Sequence, residues 1–528
     1  MSEYLQSGNI VSNRHCRSDH PSISPWLDEQ IWGHRIWDNQ SPWLLFLEFL
    51  TVAEACHREN RLFDECGVSN PLQFRPYQRL YLRNVLFKNG FVDGIDATRS
   101  DGAAWEEWIQ RMNTEADGVA TRAFVYLKDR FSSFHDFATI VATLRDTAVE
   151  GGRNRRWSSR FVFPFGPDAL YEDLNVRGSN VSREYINFGR TGELLYLMLC
   201  RSKSAEDLRE PTKLLFHEDN HLNKLLKRLQ PDEDDDLHRR GQSYLPYIKH
   251  HCFDFLGEDW KNIFDLDLPG FDAYQILVEL SAFHVMLYQL NTAAWFIPES
   301  RKVHFICEVI APKKTLVREL SIANYQQNNV LTTQAVDSYI SRISESEDWL
   351  AAIEGSTGAD AFIECKEILQ NELWWPPNRP DASNRYDGPS NPSDLLKQLR
   401  EITRKRHRQH VGNVHRVYGG AVGLISRRGT NRLRYAPNDT FLKTMVVANV
   451  GERKEFNKFL SDLYRRYGLV FGEQEALDAL PTKAFDQKVF QANTERLERR
   501  LSRMGMLRRL SDACAYVINP FGKEQNDN

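Results

Sequence analysis

Residues 272–294 (DAYQILVELSAFHVMLYQLNTAA) repeat apolar side chains at helical spacing and predict a helix about six turns long. Two other segments read the same way. Residues 43–54 (WLLFLEFLTVAE) follow Ser41-Pro42, a serine at a cap position and a proline in the first turn. Residues 191–199 (TGELLYLML) are apolar enough for a fully buried helix. Residues 160–166 (RFVFPFG) predict an edge strand or loop, and 303–310 (VHFICEVI) a buried strand. The expected fold class is therefore mainly α.

The chain has 528 residues, enough for roughly three or four domain-sized units. No run approaches 18 apolar residues, so no membrane span is expected. The polar start MSEYLQSGNIVSNRHCRSDH lacks the apolar core of a secretory signal. The eight cysteines are scattered without a CxxC pair, which argues against a disulfide framework or a thiolate zinc site and suits a reduced, cytoplasmic protein. No cofactor is expected.

Charge divides the chain. Residues 395–528 hold 26 Lys and Arg against 14 Asp and Glu, a net of +12, while 1–394 carry 42 against 58, a net of −16. The change of sign follows residues 376–394 (PPNRPDASNRYDGPSNPSD), proline-rich and polar like an exposed connection. The expected organisation is a helical region over 1–150, a helical body over 151–375, a linker over 376–394 and a basic module over 395–528. A domain-wide basic excess fits a polyanion such as double-stranded DNA; a solvated face, or one docked on the acidic body, is the plainer alternative.

Within the module, residues 397–434 contain 11 Lys and Arg and a single acid, Glu401. Arg427-Arg428-Gly429 reads as a hairpin turn with Arg432 and Arg434 on the return strand. An amphipathic helix over 452–467 then buries Phe456, Phe459, Leu460, Leu463 and Tyr467. A short helix over 473–480 follows, and a third over 489–504 turns Leu497, Leu501 and Met504 inward and Arg496, Arg499, Arg500 and Arg503 outward. Gly505 ends it, and 507–518 form a two-stranded wing. This is a winged-helix-like α+β order, in which the third helix would enter the major groove and Arg508 and Arg509 would touch backbone. Winged helices also dock proteins. The candidate nucleic-acid contacts are Arg404, Arg406, Arg408, Arg427, Arg428, Arg496, Arg500, Arg503, Arg508 and Arg509.

Three constellations could carry chemistry. His217-Glu-Asp-Asn-His221 matches HExxH, a zinc-hydrolase pattern. On a helix over 213–229, however, both histidines lie off the Leu215, Leu222, Leu226 and Leu229 stripe, as in a chance match on a solvated face. Glu364-Cys-Lys366 resembles the ExK half of a metal-dependent nuclease core, with Asp337 or Asp348 as candidates for the missing carboxylate; 363–373 fits a helix equally well. Arg404 and His410, with Arg408 and His415, fit the loose spacing of some helical ribonucleases, a pattern that so basic a stretch produces by chance. Gly419-Gly-Ala-Val-Gly423 is not followed by GK[ST], so no ATP-binding P-loop is expected. Trp32, Trp37 and Trp43 form an aromatic cluster suited to packing or, more rarely, base stacking.

Several stretches, IWGHRIWDNQSPW at 31–43, FVFPFG at 161–166, RTGELLYLML at 190–199, YLPYIKHH at 244–251, YGLVFGEQEA at 467–476 and GMLRRLSDACAYVINPF at 505–521, together carry a family resemblance. With them the chain resembles, nearly end to end, the large non-ATPase proteins of bacterial multi-gene anti-phage defence operons, of the methylation-associated or phosphorothioation-linked kind. That resemblance implies a bacterial cytoplasmic subunit working beside an ATPase, a nuclease or a methyltransferase, and it carries over no catalytic residue. The expected function is a DNA-binding or scaffolding subunit, non-catalytic on its own. The alternatives are a metal-dependent nuclease using Glu364 and Lys366 and a protein-docking adaptor.

Overall fold

The computed structural model describes residues 23–522 apart from 35, 39, 67–69, 96–99, 121–122, 151–155, 163, 165, 184–190, 218, 233–239, 244, 246–249, 267, 269–270, 299–301, 312–314, 357, 379–383, 428–431, 481–486 and 512–513. It is mainly helical, with short strands in small sheets. The chain forms two compact units, Asn39–Arg201 with Ala205–Ser243, and Met1–Asp38 with Ser202–Ser204 and Tyr244–Asn528. Among the described residues no helix is long and apolar enough to cross a membrane.

In the smaller unit the helix Pro42–Arg58 starts where the sequence places it. Ser41 is its N-cap, and the Ser41 hydroxyl accepts the Leu44 N–H at 3.3 Å. It packs against Thr191–Cys200, of which every residue is buried. Gly192 sets their separation, because a Cβ there would stand 2.6 Å from the Phe49 nitrogen. Glu48 Oε2 accepts the Gly192 N–H at 2.8 Å, placing a carboxylate at a helix N-terminus where the dipole favours it. The aromatic segment at 160–166 supplies a short strand, Arg160–Val162, paired with Ala148–Glu150. Residue 150 lies within the span Asn39–Arg201 of the smaller unit.

The larger unit is built around Asp272–Phe296, a helix buried on nearly every side. It packs against His251–Asp265, Leu316–Ser344 and Val414–Ala421. Trp32 and Trp37 belong to the same interior. Trp32 Nε1 donates to the Gln289 carbonyl at 3.0 Å, and Trp37 stacks on His410 with ring centroids 3.8 Å apart. These two indoles are therefore core side chains, which removes them from a base-stacking surface.

Residues 376–394 do not separate two units: both flanks lie in the larger one. The described part is folded against its neighbours. Trp375 is buried and its Nε1 donates to the Asn384 carbonyl at 2.7 Å, while Gln370 Nε2 donates to the Pro376 carbonyl at 2.7 Å. Residues after 395 are also knit to those before 376. The expected strand at 303–310 is the pair Phe305–Ile306, which runs parallel to Leu469–Val470. Arg404 makes two bonds to Asp337, at 2.7 and 2.8 Å; Arg434 meets Glu308, and Arg466 meets Asp259. Part of the basic excess is thus neutralised inside the fold by acids from 244–375.

Candidate nucleic-acid interface

The C-terminal elements follow in the order Asp439–Asn449, strand Arg453–Glu455, Phe456–Tyr467, Glu473–Ala479, Gln487–Arg503, strand Leu507–Ser511 and strand Cys514–Ile518. The strand at 514–518 is central, with 453–455 antiparallel on one side and 507–511 antiparallel on the other. The helix expected from residue 452 begins at Phe456, because the Glu455 carboxylate caps it by accepting the Asn457 and Lys458 N–H groups at 3.0 and 2.7 Å. Its stripe of Phe456, Phe459, Leu460, Leu463 and Tyr467 is buried as expected. Gly505, at φ +73°, turns the chain out of Gln487–Arg503, and Met506 N–H donates to the Leu501 carbonyl at 2.8 Å.

The ten candidate arginines fall into separate groups. Arg404 is tied to Asp337, which raises its pKa. Arg500 is tied to Asp439 at 2.6 Å and to the Pro437 carbonyl at 2.8 Å. Arg496 leans on the Val309 carbonyl at 3.3 Å, and burial lowers its pKa. All three are engaged within the fold, Arg404 while itself exposed. Arg509 reaches Glu498 at 3.3 Å yet stays exposed. Arg408 and Arg427 are exposed, Arg406 is half-buried, and Arg428 lies outside the described residues. Arg503 and Arg508 are exposed, and among the described residues neither has an acidic partner. They sit on either side of the Gly505 turn, one closing a helix and the other on the edge strand, where residues 508–511 are all exposed. Arg453, exposed on the opposite edge strand, was hidden from sequence reasoning because 452–455 read as helix.

The catalytic candidates do not assemble. His217 has φ +47° and lies in the break between Arg209–Leu214 and His221–Arg228; Asn220 is the N-cap of the second helix and His221 its first residue. The histidines of HExxH therefore do not share a helix face, and the motif loses its geometry. Glu364 and Lys366 lie on the helix Ala359–Leu373, where two positions are roughly 200° apart around the axis, so they point away from each other. Glu364 accepts from the Ser356 hydroxyl at 2.9 Å, and Asp337 is engaged by Arg404. His415 is buried rather than poised at a surface. Gly419 admits the Ile425 side chain against the helix Val414–Ala421 and Gly423 adopts φ +83°, so this glycine cluster serves packing and a turn.

A buried polar network escaped the sequence because its members are far apart in the chain. The Asp259 carboxylate accepts from His284 Nε2 at 2.7 Å, from the Tyr467 hydroxyl at 2.7 Å and from Arg466. Asp259 and His284 are fully buried, and the network ties the helices His251–Asp265, Asp272–Phe296 and Phe456–Tyr467 together in the core. No protein-family model matches the chain, and no curated protein or solved structure matches it either.

Proposed function

We propose that this chain is a nucleic-acid-binding subunit, non-catalytic on its own, that holds duplex DNA by its phosphates through the rim of its C-terminal α/β elements. The observation that carries this reading is the pair Arg503 and Arg508, exposed beside the Gly505 turn with no acidic partner among the described residues. A guanidinium held in solvent is free to displace a counterion from a phosphate. The order of helices and strands, with the sheet running 453–455, 514–518, 507–511, agrees with a winged helix and supports the same reading. On this proposal the chain works within a bacterial anti-phage complex, beside subunits that supply ATPase, nuclease or methyltransferase chemistry, as its resemblance implies.

The test is fluorescence anisotropy of the full chain with a labelled duplex across a salt series. Affinity is expected to fall steeply with salt, and Arg503→Ala and Arg508→Ala each to lower the log–log slope by about one. Arg404→Ala, at an arginine paired with Asp337, is expected to leave that slope unchanged. Binding that ignores salt, or none, overturns the proposal. One observation favours a second reading in that event: Leu510, next to Arg508 and Arg509 on the edge strand, is 65% exposed and suits a protein partner.

A further inference from the structure

The helix His251–Asp265 begins with an unusual cap. His250 Nδ1 accepts the Cys252 N–H at 3.1 Å, a place where a short oxygen-bearing side chain is the common choice. The His250 ring lies parallel to that of His251 with centroids 4.7 Å apart, and Tyr288 meets it edge-on at 5.3 Å. His250 is 2% exposed, and its Nε2 is buried with no hydrogen-bond partner among the described residues. A neutral imidazole that accepts at Nδ1 carries its proton on Nε2, so an N–H stands unsatisfied in the interior. The other tautomer, with the proton on Nδ1, frees the Nε2 lone pair for a metal ion.

The neighbouring side chains supply the rest of a ligand set. His251 Nε2 stands 3.7 Å from Cys252 Sγ. A tetrahedral ion with sulfur at about 2.3 Å and imidazole nitrogen at about 2.0 Å separates those two atoms by about 3.5 Å. One ligand atom from each of the three residues lies within 4.8 Å of the others. We propose that His250, His251 and Cys252 form a binding site for Zn²⁺, with a fourth coordination position left for water or another ligand.

The electrostatics suit that ion. Burial keeps His250 neutral, and burial with the nearby Lys302 ammonium pushes His251 down to about 4, so both rings offer lone pairs at neutral pH. Burial pushes the Cys252 thiol up, which makes it inert alone, whereas a coordinating metal takes its proton away. Two imidazoles and a thiolate select Zn²⁺ over Mg²⁺ or Ca²⁺, which prefer oxygen. Coordination through His250 Nε2 moves the ring proton to Nδ1 and gives up the cap bond to Cys252, so metal and cap exchange for one another.

The experiment uses the full chain, stripped with a chelator and titrated with Co²⁺ as a spectroscopic stand-in for Zn²⁺. One equivalent should bind with a near-ultraviolet sulfur-to-cobalt charge-transfer band, and Zn²⁺ should displace it. The band should vanish in Cys252→Ser and persist in Cys514→Ser. His251→Gln, at a half-buried position, should weaken uptake at least tenfold and still report should Cys252→Ser fail to fold. No uptake, uptake without the band, or a band that survives Cys252→Ser overturns the site.

Discussion

Residue by residue, the buried histidines of the larger unit are defined by which nitrogen is engaged. The Tyr435 hydroxyl accepts from Asn328 Nδ2 at 2.9 Å and shares a hydrogen bond with His415 Nε2, also at 2.9 Å. His415 is stacked on Tyr325 with ring centroids 5.1 Å apart. Burial pushes its pKa down to about 3, against about 6.5 for a free histidine. Between those values the unfolded chain binds a proton that the folded chain refuses, so this contribution to stability is intact above about pH 6.5 and erodes as pH falls. From pH 6.5 to 5 the loss is about 2 kcal/mol for this group. His415→Gln keeps an acceptor for Tyr435 and removes the titration. Its urea midpoint should move less between pH 7.5 and 5 than that of the wild type, and equal shifts would show that His415 does not titrate on unfolding. The same scale explains what composition hid about the arginines. Arg404 and Arg503 are indistinguishable in a charge count, but Asp337 neutralises the first from 67 positions away.

Elements whose signals are local were legible. Residues 43–54, 191–199 and 272–294 became Pro42–Arg58, Thr191–Cys200 and Asp272–Phe296, because periodicity and a Ser-Pro start need no distant partner. The helix expected over 213–229 broke at His217, where a left-handed backbone interrupts an apolar stripe that looked continuous. The zinc-type set at 250–252 was invisible for a related reason: consecutive ligands match no spaced motif, and only the start of a helix converges them. Close approach of helices is likewise a tertiary fact with a sharp consequence. A methyl group at residue 192 would press on the Phe49 nitrogen and the Glu48 side chain, and backbone cannot swing aside. Gly192→Ala should destabilise the smaller unit by about 1–3 kcal/mol in urea unfolding. Gly420→Ala, on a helix with nothing within 4 Å of the new methyl, should be neutral or stabilising by about 0.5–1 kcal/mol. Equal effects at both positions would mean that helix propensity, not the contact of Pro42–Arg58 with Thr191–Cys200, governs residue 192.

For the molecule as a whole, the change in charge sign near residue 394 marks composition and not a folding boundary. One apolar cluster shows why: Ile306 and Val317 from before the proline-rich segment close on Val470, Ala476, Leu480 and Phe490 from after it. The strand Leu469–Val470 has Phe305–Ile306 as its partner, and the buried Arg434 has Glu308 as its counter-charge. A fragment of residues 395–528 would leave an open strand edge, an unpaired buried cation and one half of an apolar core. Each of these is a cost of the kind that a unit this size cannot absorb. The fragment should therefore show weak helical circular dichroism and no cooperative thermal transition, while the full chain melts cooperatively. A cooperative transition from the fragment alone would restore the basic module as an independent domain and make its internal ion pairs secondary. The expected result instead ties the proposed nucleic-acid binding to the integrity of the larger unit. On the proposed reading, substitutions at Glu308 or Asp337 would weaken DNA binding by removing the counter-charges of Arg434 and Arg404, with the salt slope set by Arg503 and Arg508 unchanged.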